Sequence, residues 1–152
     1  MSDAQAGHEK SISALLPALA GANLIYGAGM LEAGMTFSFG QLVMDDEIAA
    51  MVKRIVNGVS LDDELMGLDL IKKVGIGNNF LTQRHTLNNI ETEQVQATII
   101  DRRMRGAWEK RGSKSLIQSA NQKAAELLRT HDPKPLPEDL IKELKRIVKS
   151  AE

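Results

Sequence analysis

Apolar residues at the start of the chain recur at helical spacing. Ile12, Leu15, Leu16 and Leu19 fall at i, i+3, i+4 and i+7 behind Asp3, whose carboxylate suits an N-cap. The pattern predicts a helix that Pro17 bends or ends and Gly21 stops. Asn23-Leu24-Ile25-Tyr26-Gly27 then shows no polar alternation, as expected of a short strand covered on both faces of a parallel sheet. Gly27, Gly29, Gly34 and Gly40 punctuate the next stretch, which reads as a loop with one more strand over Thr36 to Val43. Gly27 and Gly29 suit a sharp turn at a strand end. Helix, tight turn and buried strand together make the step of an α/β protein.

Helical periodicity dominates the remainder. Asp45 or Asp46 is expected to cap a helix with Ile48, Met51, Val52 and Ile55 on its apolar face and Asn57-Gly58 at its end. Ser60 is expected to cap the next, with Asp62, Asp63 and Glu64 in its first turn and Lys72 and Lys73 in its last, as the helix dipole favours. Leu61, Leu65, Leu68 and Ile71 would form its buried stripe, and Gly75 its stop. A short helix is expected over Thr82 to Ile90. Two clearer ones close the chain, Ser115 to Arg129 and Pro137 to Lys149, with Pro137 at the first helical position. Their stripes predict that Leu127, Leu128, Leu144, Ile147 and Val148 pack together or on preceding helices.

Composition narrows the function classes. The 152 residues, 43% of them hydrophobic, fit one globular domain. Lys plus Arg (19) nearly cancel Asp plus Glu (20), so the net charge of -1 gives no footprint for nucleic acid or an anionic membrane. There are no cysteines, and His8, His85 and His131 lie far apart, so no metal site is expected from this chain alone. The opening residues carry both charge signs and the longest apolar run is interrupted, which points to a cytoplasmic protein without a membrane partner. Neither Gly27-Ala28-Gly29 nor Gly75-Ile76-Gly77 has the spacing of a dinucleotide or phosphate loop.

One charge cluster stands out: Arg102-Arg103-Met104-Arg105 with Lys110 and Arg111, around the lone Trp108. It reads either as a solvated, ion-paired helix face or as a docking patch for an acidic partner. Gln5 and His8 open the first helix, which in an α/β barrel is the catalytic face, although surface exposure explains His8 as well. Tyr26 ends the clearest strand, where a barrel would aim it at the same face; packing in a barrel core is the alternative.

Three segments carry a family resemblance. They are Asp3-Ala4-Gln5-Ala6-Gly7-His8-Glu9-Lys10, the run from Leu19 through Tyr26-Gly27-Ala28-Gly29 to Glu32, and Phe39-Gly40-Gln41 through Asp45-Asp46-Glu47. With Phe80-Leu81-Thr82-Gln83-x-His85, Asp101-Arg102-Arg103, Trp108 and Pro135-Leu136-Pro137, the chain resembles the C-terminal part of the trimethylamine methyltransferase family. These are corrinoid-dependent methyltransferases of trimethylamine, glycine betaine and related amines.

The resemblance implies an α/β fold, the C-terminal fragment of a (β/α)8 TIM barrel, mostly helical with two or three short parallel strands. A whole barrel typically needs about 250 residues. Residues 1–58 would supply the last βα units and residues 59–152 a helical region packing on the barrel. The implied activity moves a methyl group from trimethylamine or a related quaternary amine to corrinoid cobalt. No cofactor is bound directly by this chain, since the methyl acceptor is the corrinoid of a cognate partner protein. A homo-oligomer and an inactive isolated fragment are also expected. The family's trimethylamine branch encodes a pyrrolysine by an in-frame amber codon upstream of the matching segment, so a chain read from downstream of that codon would look like this one. The rival reading is a truncated, non-catalytic remnant or a helical interaction module.

A quaternary ammonium has no hydrogen-bond donor, so its site relies on shape, carboxylates and aromatic faces. Tyr26, Glu32 and Phe37, with Phe39, Gln5 and His8, are the candidates for substrate binding. No catalytic residue is singled out.

Overall fold

The computed structural model describes residues 2–151. Helix α1 (Ala4–Leu19) starts where expected, with the Asp3 carboxylate accepting the Ala6 N–H at 3.0 Å. Pro17 lies in its last turn, and Gly21, at φ 86°, lets the Ala22 N–H close on the Pro17 carbonyl at 2.9 Å. The face of α1 differs from the expected one. Lys10, Ala14 and Ala18 turn toward helix α2 (Phe39–Val56), while Ile12, Leu16 and Leu19 are exposed.

Leu24 to Gly27 forms no strand, and Leu24 and Tyr26 stand 81% and 85% exposed. The apolar run encodes a demand for cover on both faces. A strand also needs a neighbouring backbone, and among the described residues none lies alongside. The one ladder among them joins β1 (Met30–Leu31) to β2 (Thr36–Phe37), with Met30 opposite Phe37 and Leu31 opposite Thr36. It is antiparallel, where parallel strands were expected. It also ends at Phe37, because the Ser38 hydroxyl accepts the Gln41 N–H at 3.2 Å and starts α2 there. Residues 39–43, expected in a strand, are helical, and Asp45 and Asp46 lie inside α2 instead of capping it.

Helix α2 is the centre of the molecule. On one side it meets α1; on the other, α7 (Leu116–Thr130), which buries Ala120 and Ala124. Small residues set this spacing: a Cβ on the buried Gly40 would lie 1.9 Å from the Asn121 side-chain oxygen. The helix expected over Ser115 to Arg129 is present as α7, and Ser115 caps it, with Gln118 completing a capping box.

Between α2 and α7 the elements are short. Asp62, not Ser60, caps α3 (Asp63–Met66), its carboxylate accepting the Leu65 N–H at 2.8 Å. Gly67, at φ 60°, then divides the expected single helix, and α4 (Leu68–Val74) ends at Gly75 with Lys72 and Lys73 in its last turn. Leu61, Leu68 and Ile71 are exposed, so the expected buried stripe is absent. Helices α5 (Arg84–Glu93) and α6 (Arg105–Lys110) follow. Helix α8 (Glu138–Ser150) has Pro137 as its N-cap, one position before the one expected, and buries no residue. Leu127, Leu128, Leu144, Ile147 and Val148 are all exposed, against the packing their stripes predicted. Amphipathicity marks a face that wants cover and does not supply the cover. No helix among the described residues is long and apolar enough to cross a membrane.

Candidate functional site

A buried carboxylate organises the junction of α1, the glycine turn and α2. Asp45, 8% exposed, accepts from Lys10 Nζ, the Gly29 N–H and Gln41 Nε2, each at 2.7 Å. Lys10 Nζ also donates to the Gly27 carbonyl at 3.0 Å. The turn Gly27-Ala28-Gly29 is thereby held at one end from α1 and at the other from α2. Three donors offset the cost of removing this carboxylate from water. The turn needs its glycines: Gly29 has φ 77°, and a Cβ there would lie 2.6 Å from the Phe37 ring.

Tyr26 lies immediately before this turn and the β1–β2 hairpin immediately after it. At the hairpin tip Glu32 (φ 51°), Ala33 (φ 50°) and Gly34 (φ 89°) are all left-handed. Two of these are not glycine, so the tip stores backbone strain, a feature that clusters at functional sites. Glu32 Oε2 accepts from the Thr36 hydroxyl at 2.6 Å, which aligns its carboxylate along the hairpin. Phe37 and Phe39 meet edge to face with ring centres 5.3 Å apart, both more than half exposed.

Beneath the turn an apolar cleft of about 610 Å³ separates α1 from α2, lined by Ala14, Ala18, Leu24, Ile25, Val52 and Val56 among others. Farther along α2, the buried Glu47 holds the downstream chain, accepting from the Thr98 hydroxyl and the Ile99 N–H at 2.7 Å each and from the Thr98 N–H.

The candidates fall into two groups. Tyr26, Glu32, Phe37 and Phe39 share one short stretch around the pinned turn. Gln5 and His8 are exposed on α1, where Gln5 Nε2 donates to Glu9 at 2.8 Å; among the described residues no hydrogen bond ties either to that stretch. The Lys10–Asp45–Gln41 cluster was not foreseen. Its signal was available, because Gln41 and Asp45 occupy the same i, i+4 face of α2 as Ile48 and Val52. Among the described residues no group of three or more His, Asp or Glu could hold a metal ion.

One short stretch thus gathers a carboxylate on the hairpin, Glu32, and two rings, Phe37 and Phe39, while Tyr26 lines the open apolar cleft. Residues 1–151 match the family model described as trimethylamine methyltransferase (MTTB). The chain belongs to the trimethylamine methyltransferase family. It is 50% identical over 142 residues to a trimethylamine methyltransferase of Methanosarcina thermophila, covering 93% of this chain and 29% of that one. It is 46% identical over 150 residues to one of Desulfitobacterium hafniense DCB-2, covering 99% and 30%. A glycine betaine methyltransferase of Desulfitobacterium hafniense Y51 is 39% identical over 109 residues, covering 71% and 23%. The chain thus spans about 30% of the length of the trimethylamine methyltransferases it matches.

Proposed function

We propose that this chain forms the C-terminal part of a (β/α)8-barrel methyltransferase that moves a methyl group from trimethylamine, or a related quaternary amine, to corrinoid cobalt on a separate protein. The observation that carries the proposal is the match of residues 1–151 to relatives named for trimethylamine methyl transfer. The chain's own part is to bind and orient the amine. Glu32 offers a negative charge, and Tyr26 and Phe37 offer ring faces that attract a cation whose methyl groups cannot accept or donate hydrogen bonds. The Asp45 cluster holds the turn from which Tyr26 and the hairpin project, so that these groups stay in register. The corrinoid, carried by the partner, would supply the cobalt that takes up the methyl group as its C–N bond breaks, and the demethylated amine would leave the site. In this reading the enzyme is cytoplasmic and homo-oligomeric.

A chimaera tests this. Residues 2–151 replace the matching segment of the Desulfitobacterium hafniense DCB-2 relative, and methyl transfer from trimethylamine to a corrinoid protein is followed by the cobalt absorbance. Transfer within roughly tenfold of the parent rate, about 1.4 kcal/mol in the barrier, is expected. A folded, inactive chimaera would leave this chain a non-catalytic remnant.

A further inference from the structure

We infer that the basic cleft between residues 97–103, Trp108 and α7 is a docking surface for an acidic polypeptide. The cleft is polar and holds about 600 Å³. Two of the cations around it have their own counter-charges, Arg103 with Asp101 at 3.2 Å and Lys123 with Glu126 at 3.3 Å. Arg102, Arg111 and Lys114 have no carboxylate partner among the described residues; Lys114 Nζ donates to the neutral Gln122 side chain at 2.5 Å. A chain of net charge -1 therefore gathers three uncompensated cations in one place.

Two apolar groups accompany them. Met104, between the arginines, is 87% exposed, and the half-buried Trp108 donates its indole N–H to the Lys114 carbonyl at 2.9 Å. Left-handed Gly112 (φ 92°) and Ser113 (φ 52°) bring that carbonyl onto the indole, so the cleft wall is set by a strained loop. Arginine, tryptophan and methionine together are the composition enriched at protein interfaces.

The charges fit a polypeptide better than other anions. The arginines are exposed side chains, which hold a single small anion weakly because solvent and salt screen them. Several carboxylates presented on one backbone engage all three cations at once while covering Met104. A nucleic acid would want a wider basic field and repeated stacking rings, and the chain has neither. The inference stands apart from the methyl-transfer reading and needs no amine substrate.

Trp108 is the only tryptophan, so its fluorescence reports on this cleft. The full chain is titrated with a synthetic Glu-rich peptide containing leucines, and in parallel with inorganic phosphate and oligouridylate. A saturable shift in emission is expected with the peptide alone, weakened roughly tenfold by raising the salt beyond physiological strength. Arg102→Glu and Arg111→Glu should each weaken the peptide by roughly tenfold at unchanged helix content, whereas Arg146→Glu on α8 should not. If one cleft variant misfolds, the other decides. The absence of a saturable shift, unchanged affinity in the folded cleft variants, or phosphate or oligouridylate binding as tightly as the peptide would overturn the inference.

Discussion

Burial acts to raise the Glu47 carboxyl, yet hydrogen bonds from the Thr98 hydroxyl and from the N–H groups of Ile99 and Thr98 more than offset it and hold the group below the ordinary carboxylate value. A carboxyl lowered by folding contributes stability that is present above its unfolded value of about 4.3 and is lost as pH falls through the folded value. The melting temperature should therefore drop more steeply between roughly pH 5 and pH 3 in the native chain than in Glu47→Gln, which has no proton to take up. Parallel slopes would show that Glu47 is not the anchor described. Glu47→Ala leaves two backbone N–H groups without their acceptor and should cost about 1 to 3 kcal/mol. Tyr26 makes a contrasting case, because at 85% exposure it has little packing to lose. In a complete enzyme carrying this segment, Tyr26→Leu should raise KM for the amine about tenfold, near 1.4 kcal/mol, whereas unchanged KM with a lowered melting temperature would leave Tyr26 a packing role alone. Tyr26→Phe should change KM little. Equal losses in both variants would assign the role to the hydroxyl.

Elements whose ends are written in local chemistry were legible in the sequence: the Asp3 cap of α1, the start of α7 at Ser115, and the glycine stops at Gly21 and Gly75. Elements defined by distant partners were not. Asp45-Asp46 has the look of a cap, but Asp45 faces inward to collect Lys10 and the Gly29 N–H, and that purpose is visible only once α1 and the turn are in place. Gly40 carries a similar long-range message. Alanine in a helix is ordinarily about 1 kcal/mol better than glycine, yet here its Cβ would strike Asn121 across the α2–α7 contact. Gly40→Ala should destabilise by about 1 to 3 kcal/mol in the native background and much less beside Asn121→Ala. Urea unfolding of both single variants and the double measures the coupling, and simple additivity would contradict a tight contact at this point.

Across the whole molecule the apolar surface is incompletely covered. Leu24, Ile25, Leu140, Leu144 and Ile147 are exposed, and a cleft of about 610 Å³ stays open between α1 and α2. Exposed apolar area of this kind favours association, so the isolated chain is expected to self-associate in solution. A third of the candidate site, Gln5 and His8, was inferred from barrel position alone, and the local geometry gives them no tie to the hairpin. Tyr26 was inferred from its place at the end of an expected strand before a glycine turn, with Glu32, Phe37 and Phe39 on the stretch that follows, and these four lie within one short segment. The covering that Leu24 to Gly27 lacks is what the proposed barrel would provide, as neighbouring strands. Hydrogen exchange of the Leu24, Ile25, Tyr26 and Gly27 amides, measured in this chain and in the chimaera with the Desulfitobacterium relative, tests that directly. Fast exchange in the isolated chain and strong protection in the chimaera are expected. Amides already protected in the isolated chain, or unprotected in an otherwise folded chimaera, would contradict the assignment of this segment to a barrel strand.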